Sequence, residues 1–373
     1  MRKISVIIPT RQRGDLLRQC LLSLRQQTFA DFETVLVSND AGQCARQLAH
    51  EFGCGLLEFA ENLGFAAAVN RGVAVTGSEY VAVLNDDVEL EKSWLEQTAA
   101  FLDARPDTSF CCGKILQANG TLVDNAGDAL SLAGSAWRIG HGRSDSPAFD
   151  VTRPVFAVSG TALLVRRIAW GRLEGFDEDF FAYLEDMDFS LRAFQAGERG
   201  YYLPEAVCHH HGGATLGGPE SGPVFRLLTR NQLLLLVRHY RWPLWLRLWP
   251  RIAWAQWLWF LMALRKKRLG SYGRGVIQFL GALPRALAKR RRAPQGDWRA
   301  LLAWLKESER EIYTDITAPD RTRQDTFWKM YFGLFAPPKA PERESGLGEC
   351  VKTTSAHPSA SLRTGPQRLK PPL

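Results

Sequence analysis

The amino-acid sequence predicts an α/β fold: a parallel-rich sheet with helices on both faces, followed by a helical C-terminal segment. Short apolar runs alternate with stretches of helical periodicity through the first 84 residues, which is typical of parallel sheets covered on both sides. The composition, with 46% hydrophobic and 23% charged residues, is that of a globular protein. A chain of 373 residues can also bury a sizeable core.

The individual elements follow from local periodicity. A helix is predicted after Gly14, where Leu17, Leu21 and Leu24 recur at helical spacing. Residues 155–165 are apolar around Gly160, which predicts a strand whose centre permits a close backbone approach. The other predicted elements are strands at residues 4–8, 34–37, 56–59 and 80–84, and helices at residues 43–52, 65–75 and 186–196.

Polar residues follow three of the predicted parallel strands. Ligands of such sheets bind beyond the carboxyl ends of the strands, so these residues define one edge of a nucleotide-binding crevice. Carboxylates at this edge could hold a hard divalent cation that neutralises a leaving diphosphate; paired acids after a strand also form ordinary turns and caps. The residues at this edge are Pro9, Thr10, Arg11, Ser38, Asn39, Asp40, Asn85, Asp86 and Asp87.

A second cluster combines acids with aromatic side chains. Six acids lie among the fourteen residues 175–188, next to Phe, Tyr and Leu. A solvated acidic face would not interleave with so many apolar groups. We therefore predict an acidic pocket that contains a base for a hydroxyl proton and rings that stack a sugar or exclude water. Its predicted residues are Gly160, Tyr183, Glu185, Asp186 and Asp188, the last also able to pair with Arg192.

Histidines and cysteines give two further indications. His209, His210 and His211 are consecutive and cannot all face one site, so one could bind a metal or phosphate while the others cover a turn. The seven cysteines show no CxxC pair or metal-ligand spacing, which indicates reduced thiols in a cytosolic protein. The apolar run at the N-terminus ends at Pro9 and is too short for a signal peptide.

Charge and tryptophan are concentrated in the second half of the chain. Residues 221–296 contain sixteen Lys and Arg and no Asp or Glu, whereas the whole chain carries only +8. Six of the twelve tryptophans lie between Trp242 and Trp259. Such a segment favours the headgroup layer of an anionic membrane, although its apolar run at residues 252–264 is too short to span a bilayer. The alternative is a helical domain packed on the α/β body. No nucleic-acid partner is predicted, because the sequence contains no recognisable nucleic-acid-binding module.

Five motifs in order along residues 1–240 resemble the inverting family 2 glycosyltransferases, particularly the bacterial rhamnosyltransferase-like members. The motifs are residues 5–10 (SVIIPT) with 24–28 (LRQQT), residues 62–66 (NLGFA) with 70–72 (NRG), residues 85–87 (NDD), residues 175–192, and His209 or His210. The predicted organisation is a catalytic domain at residues 1–221, a basic, Trp-rich, membrane-proximal helical segment at 222–336, and a disordered tail at 337–373, which is rich in Pro, Ser and Lys.

The resemblance implies a GT-A-like fold and a metal-dependent transfer of a hexosyl or rhamnosyl group from a nucleotide-sugar to an acceptor hydroxyl. It implies Asp186 as the base, and Asp87 with His210 as ligands of Mg²⁺ or Mn²⁺. The implied acceptor is lipid-linked or a polysaccharide, in cell-surface polysaccharide or glycolipid synthesis at the inner face of the cell membrane. The implied donor-binding residues are Pro9, Thr10, Arg11, Asn39, Asp40, Asn62, Gly64, Asn70, Asn85 and Asp86.

The sequence departs from the family pattern at two places. Asn85 replaces the first acid of the metal motif, so Asp87 is expected to be the main ligand. Asn39 aligns with the acid that binds the nucleotide base, and Asp40 would replace it if the register shifts by one; an amide can still read a pyrimidine edge. Two other functions stay open, a nucleotidyltransferase with the same metal-binding edge and a non-catalytic membrane scaffold.

Overall fold

The computed structural model describes residues 2–11, 14–40, 43–212, 221–292, 297–321 and 325–339. Its strands are β1 (Ile4–Thr10), β2 (Phe32–Asn39), β3 (Gly55–Phe59), β4 (Tyr80–Leu84), β5 (Val88–Leu90), β6 (Phe110–Gln117), β7 (Val123–Asn125), β8 (Asp128–Leu130), β9 (Ala136–Arg138), β10 (Arg153–Pro154), β11 (Ala162–Arg166) and β12 (Gly200–His210). Its helices are α1 (Gly14–Arg25), α2 (Gln43–Phe52), α3 (Phe65–Ala74), α4 (Trp94–Ala104), α5 (Arg167–Arg172), α6 (Glu185–Gln195), α7 (Gly222–His239), α8 (Trp242–Arg265), α9 (Leu269–Arg292), α10 (Trp298–Ile316) and α11 (Thr326–Leu334). Short 3₁₀ turns lie at Pro147–Phe149 and Glu178–Phe180.

Ten strands form one mixed sheet, in the order β10-β12-β6-β11-β4-β1-β2-β3, with β5 paired to β12 and β7 to β6. Strands β1 to β4 run parallel, and β11 runs antiparallel to both β4 and β6. Strands β2 and β3 lie on one side of β1, and β4 lies on the other. The strand order therefore reverses between β1 and β4, which opens a crevice at their carboxyl ends.

Both faces of the sheet are buried, as the apolar strands predict. Val6 and Ile8 of β1 lie in one buried cluster with Leu17 of α1. Ile7, on the opposite face of the strand, lies in another cluster with Ala66 of α3. This alternation places helices on both sides of the sheet. The predicted fold class is confirmed.

The C-terminal helices pack on the sheet and share its core. Leu258 of α8 and Ile312 of α10 belong to the buried cluster that contains Ile7 of β1. Glu309 of α10 accepts a hydrogen bond from the backbone N–H of Leu132, at 2.7 Å. Residues Met1–Pro338 accordingly form one compact unit. Helix α7 begins at Gly222, next to the predicted boundary, and the division at residue 221 stays a prediction.

One predicted strand is shorter than expected. The strand predicted at residues 155–165 extends only over Ala162–Arg166. The preceding backbone leaves the sheet because other segments pair with it: Ala157 forms a bridge with Asp128, and the N–H of Gly160 donates to Asp186. The glycine in this segment thus lies at a side-chain contact and not at the centre of a strand.

Three other sequence predictions concern thiols, the tail and membrane spans. The cysteines within the described residues are all free, as predicted, and Cys350 lies outside those residues. Residues 340–373, most of the predicted disordered tail, also lie outside them. None of the described helices combines the length and the apolar character that crossing a bilayer requires.

Candidate active site

The crevice between β1 and β4 is closed at its base by hydrogen bonds to Asp86. Thr10, the last residue of β1, donates from Oγ1 to Oδ2 of Asp86 at 2.7 Å. The backbone N–H of Arg11 donates to the same oxygen at 3.3 Å. Asp86 is buried, so these bonds fix the turn after β4 and with it the position of Asp87.

Asp87 faces the central one of the three histidines. Its Oδ1 lies 3.3 Å from Nε2 of His210, and Nδ1 of His210 lies 2.8 Å from Oδ2 of Asp124. Burial lowers the pKa of His210, but the carboxylates of Asp124 and Asp87 outweigh burial and raise this pKa to about 9. His211 instead contacts Glu89 of β5, and His209 contacts Glu91, the residue after β5.

The pair formed by Asp87 and His210 fits part of a metal coordination sphere. A carboxylate oxygen and an imidazole nitrogen lie side by side. Both bind first-row divalent cations, the imidazole once its Nε2 has lost its proton. Within the part of the chain that the structure describes, no group of three or more His, Cys, Asp or Glu side chains is arranged so that it could hold a metal ion by itself. A cation at this place would therefore complete its coordination with oxygens from a ligand or from water, as Mg²⁺ commonly does with substrate phosphates.

Asn39, at the end of β2, holds the loop between β3 and α3. Its Nδ2 donates to Oδ1 of Asn62 at 3.0 Å and to the carbonyl oxygen of Gly64 at 3.1 Å. Its Oδ1 accepts from a backbone N–H of the same loop at 2.8 Å. The neighbouring Asp40 contacts Arg11 at 3.1 Å and is about one-third exposed. Asp40 is thus the more accessible of the two residues predicted to bind the base.

Helix α3 and its N-terminal loop lie against the segment that precedes α6. A Cβ atom at Gly64, whose φ is 87°, would lie 2.5 Å from the carbonyl oxygen of Phe181. The N–H of Ala66 donates to that oxygen at 3.1 Å. Asn70 pairs through both of its amide atoms with the backbone of Phe176, at 2.8 and 3.0 Å. Asn70 therefore joins these two segments.

The carboxyl groups of Glu185 and Asp186, at the start of α6, have that of Asp128 in β8 as a neighbour. Oδ2 of Asp186 accepts from the N–H of Gly160 at 2.9 Å, and Oδ1 accepts from the N–H of Met187 at 2.8 Å. Burial raises the pKa of Asp186 despite these bonds. Burial, together with the charge of Asp186, also raises the pKa of Asp128 and of Glu185. A raised pKa increases the proton affinity of a carboxylate, which suits it to general-base chemistry.

The loop that leads into α6 has a strained backbone. Phe181, Tyr183 and Leu184 have φ values of 65°, 70° and 69°, which are costly for residues other than glycine. The fully buried Asn231 of α7 supports the loop, because its Nδ2 donates to the carbonyl oxygens of Phe180, Ala182 and Tyr183 at 2.6–3.0 Å. Strained loops that other elements hold in place are typical of functional sites.

Two acids of the predicted pocket instead face the basic helices. Asp177 and Asp179 both contact Arg238 of α7 and Lys289 of α9. Burial acts to raise the pKa of Asp179, but the neighbouring cations, Lys289 first, outweigh it and lower this pKa. These ion pairs attach the loop to the C-terminal helices.

Asp188 is an internal residue of α6. It is fully buried, and its carboxylate contacts Arg192 at 2.7 Å and His239 at 2.9 Å. Burial acts to raise the pKa of Asp188, but Arg192, His239 and Arg238 outweigh it and hold this pKa well below its ordinary value. The i, i+4 pair with Arg192 is the contact that the sequence predicts, and the position of Asp188 is internal. Tyr183, by contrast, is exposed.

Three residues with apparent roles in the site were not identified from the sequence. Asp124 orients His210. Asp128 belongs to the cluster of carboxyl side chains around Asp186, and Asn231 supports the strained loop. Asp124 and Asp128 lie in the irregular, Gly- and Asp-rich stretch of residues 110–165, where spacing gives no indication of a partner. Asn231 is a polar residue in a largely apolar helix. That is its only signal in the sequence, because a polar side chain buried in such a helix needs hydrogen-bond partners.

The chain is similar to known glycosyltransferases over as much as 64% of its length. Residues 5–167 match the family described as Glycosyl transferase family 2. An N-acetylglucosaminyl-diphospho-decaprenol L-rhamnosyltransferase from Mycobacterium tuberculosis is 27% identical over 268 residues, which cover 64% of this chain and 86% of that protein. The O-antigen biosynthesis protein RfbC from Myxococcus xanthus is 29% identical over 225 residues, 57% of this chain and 18% of that protein.

Other matches extend over parts of longer proteins. An uncharacterised protein, y4gI from Sinorhizobium fredii, is 27% identical over 257 residues, so this chain spans about a quarter of its length. Among solved structures, GalNAc-T7 with UDP, GalNAc and Mn²⁺ has a TM-score of 0.56 at 14% identity, over 86% of this chain and 58% of that one. This likeness shows a shared fold.

Proposed function

The chain belongs to glycosyl transferase family 2, and from this premise we propose that it transfers a sugar from a nucleotide-sugar to an acceptor hydroxyl, with inversion at the anomeric carbon. One observation supports this function best. The N–H of Asn85, which precedes the two acids after β4, donates to the carbonyl oxygen of Thr161 at 3.0 Å. Thr161 follows Gly160, which holds Asp186. The turn with the two acids proposed to serve the donor diphosphate is therefore hydrogen-bonded to the segment that holds the proposed base, Asp186.

In this proposal Asp186 is the catalytic base. Its carboxylate is held by two backbone N–H groups, and its pKa is raised by burial. It accepts the proton of the acceptor hydroxyl while that oxygen forms a bond to the anomeric carbon, and the bond from this carbon to the donor diphosphate breaks. Attack opposite to the leaving diphosphate inverts the configuration. The neighbouring carboxyl groups of Glu185 and Asp128 increase the proton affinity of the cluster that they form with Asp186.

We propose that Asp87 and His210 hold Mg²⁺ or Mn²⁺ on the donor diphosphate, with Asp124 orienting the imidazole. A divalent cation supplies counter-charge for the leaving diphosphate. The remaining donor contacts are assigned to the edge formed by Thr10, Arg11 and Asp40. Asn39, Asn62 and Gly64 shape the adjoining loop through their mutual hydrogen bonds. GalNAc-T7, which shares the fold, was solved with UDP, GalNAc and Mn²⁺, and this supports the proposed nucleotide and cation.

The acceptor in this proposal is lipid-linked or a surface polysaccharide. The names of two relatives, a diphospho-decaprenol rhamnosyltransferase and an O-antigen biosynthesis protein, support it. We further propose that the chain works at the inner face of an anionic membrane. Exposed apolar residues of α8 recur at intervals of 4, 3, 8 and 7 residues and thus lie on one face of the helix. They are Trp242, Leu246, Trp249, Trp257 and Leu264.

Release of nucleoside diphosphate from a panel of nucleotide-sugars, with and without Mn²⁺, tests the function. We expect metal-dependent release with one donor class, faster with a lipid-linked acceptor. Asp87→Ala should abolish transfer and weaken donor binding, because the leaving diphosphate loses its counter-charge. Glu91→Gln, an exposed acid that contacts His209, is the matched control and should retain turnover.

The same panel discriminates the other functions. Full turnover of Asp87→Ala, or of the wild type in excess EDTA, would contradict the metal site. Release of inorganic pyrophosphate from a nucleoside triphosphate and a sugar phosphate would indicate a nucleotidyltransferase. Binding to membranes without turnover of any donor would indicate the remaining alternative, a non-catalytic membrane scaffold.

A further inference from the structure

A cavity of about 460 Å³ lies between α7, α9 and the loop before α6, within the range of about 300–1,000 Å³ that is typical of ligand sites. Three arginines dominate its polar lining, two from α7 and one from α9, together with two acids of the loop. These residues are Arg226, Arg230, Arg285, Glu178 and Asp179. The cavity is distinct from the crevice between β1 and β4.

The two acids of the lining have cationic partners of their own. Glu178 contacts Arg71 of α3 at 3.0 Å. Asp179 contacts Lys289 at 2.8 Å and Arg285 at 3.0 Å. Both Arg71 and Lys289 lie outside the cavity lining, so the acids are neutralised largely by other groups. The lining is left with a surplus of positive charge.

Arg226 and Arg230 concentrate this surplus. Nε of Arg226 is buried and has no hydrogen-bond partner among the described residues. Arg230 donates to the uncharged carbonyl oxygens of Asp179 and Phe180. Burial lowers the pKa of Arg230; the carboxylate of Asp179 acts to raise it, and the charges of Arg226 and Arg238 act with burial to lower it. A buried donor beside crowded cations is satisfied by an oxyanion with several acceptor oxygens.

The cavity adjoins the loop that leads to the proposed base. Phe181 lines the cavity, and its carbonyl oxygen accepts from Ala66 on the donor side. Gln278 of α9 also lines the cavity. Ile277 and Leu280, its neighbours on the same helix, are 68% and 56% exposed. An anionic group in the cavity thus lies between the active-site loop and an apolar helix surface.

We propose that this cavity binds the diphosphate of a lipid-linked acceptor, with Arg226 and Arg285 as its ligands and the exposed apolar side of α9 beside the hydrocarbon. The proposal rests on the proposed function and specifies its acceptor: an amphiphile with a diphosphate between sugar and lipid. Arg230 positions the loop, and the diphosphate anchors the acceptor so that its hydroxyl approaches Asp186.

Calorimetric titration of the full chain with farnesyl diphosphate in EDTA tests the proposal, since EDTA suppresses metal-dependent binding of a diphosphate in the donor crevice. We expect binding that Arg226→Gln weakens about tenfold or more, as loss of a charge-assisted hydrogen bond predicts. Arg274→Gln is the matched control, because it removes an exposed charge from α9 outside the cavity. Arg285→Gln, at a side chain that is 72% exposed, should also weaken binding and covers the case in which Arg226→Gln fails to fold.

Each outcome is decisive. Tighter binding of farnesyl diphosphate than of inorganic pyrophosphate supports a lipid source, and equal or weaker binding overturns it in favour of a free diphosphate. Absence of binding, or equal losses in Arg274→Gln and the cavity variants, overturns the site. The titration needs neither donor nor metal, so failure to transfer any sugar would contradict the proposed function and leave this result standing.

Discussion

At the residue scale, Asp186 differs from the five other acids of residues 175–188 by its two backbone donors. Both of its oxygens accept an N–H, from Gly160 and from Met187. Asp177, Asp179 and Asp188 are instead held by arginine, lysine or histidine. The ion pairs of Asp179 and Asp188 lower the pKa of these two carboxyl groups, whereas burial raises the pKa of Asp186. Of these carboxylates, Asp186 is therefore the best suited to accept a proton.

Asp186→Asn should reduce kcat by about 10²-fold or more, since an amide cannot accept the acceptor proton. The KM for the nucleotide-sugar should change little. Because the folded-state pKa of Asp186 is raised, ionising this group as pH rises costs folding stability. At pH 8 the variant should unfold at a temperature no lower than the wild type, which circular dichroism would check. Retention of wild-type kcat would exclude Asp186 as the base.

The pH dependence of turnover follows from the same pKa. The ordinary pKa of an aspartate is about 3.9, and burial raises that of Asp186. A base works only when it is ionised, so kcat/KM is present above the raised pKa and is lost as pH falls through it. We expect the acid limb of a kcat/KM profile at a pH clearly above 4. An acid limb at or below 4 would contradict the pKa shift.

At the element scale, the position of the strained loop depends on close contact with the loop before α3. Gly64 permits this contact, because it lacks a Cβ atom and has a φ of 87°. On the other side, α7 contributes Asn231 and Arg238. The active-site loop is thus held between an element of the nucleotide-binding half and an element of the basic segment. Neither half would define its conformation alone.

Gly64→Ala should lower both stability and turnover. The backbone of Gly64, with φ 87° and ψ 166°, lies in a region that is essentially restricted to glycine and costs other residues about 1–3 kcal/mol. The new Cβ would also meet the carbonyl oxygen and ring of Phe181 at 2.5–2.7 Å. Gly142→Ala is the matched control, because Gly142 has a φ of 75° with open space around it. Chemical denaturation and kcat of both variants provide the measurement. Equal losses of stability and turnover in the two variants would show that the contact with Phe181 has no role.

At the scale of the whole molecule, the cations of the basic segment, residues 222–336, lie on two sides of it. Its inner cations, such as Arg238, Arg251 and Lys289, neutralise acids of the α/β body. Its outer face retains exposed tryptophans on α8 and the exposed cations Arg265, Lys266 and Lys267 at the end of that helix. Packing on the body and contact with a membrane, which the sequence presents as alternatives, are therefore compatible.

The full chain should sediment with anionic liposomes and less with neutral ones, because each Lys or Arg near an anionic surface contributes about 1 kcal/mol. High salt should weaken this binding without abolishing it, since tryptophan burial does not depend on salt. The double variant Trp249→Ser, Trp257→Ser should bind less. Ile168→Ser, at a residue of α5 that is 65% exposed, is the control. A wild-type chain that stays in the supernatant with anionic vesicles at low salt would contradict the membrane proposal.

The sequence by itself determined the elements that depend on local patterns. Periodicity predicted strands β1 to β4 and helices α2, α3 and α6 to within two residues at each end, because apolar spacing and glycine punctuation act over a few residues. Motif order predicted the family. The edge formed by Thr10, Asp86 and Asp87 also followed from the sequence, since parallel strands place their carboxyl ends together.

Only the tertiary structure decided which acids share a site. Asp124 approaches His210 across 86 residues of sequence, and Asn231 reaches the carbonyl oxygen of Tyr183 across 48. The strand predicted at residues 155–165 is interrupted because Gly160 pairs with Asp186. Such contacts depend on how helices and loops pack over the sheet, and no periodicity within a segment encodes a partner that lies on another segment.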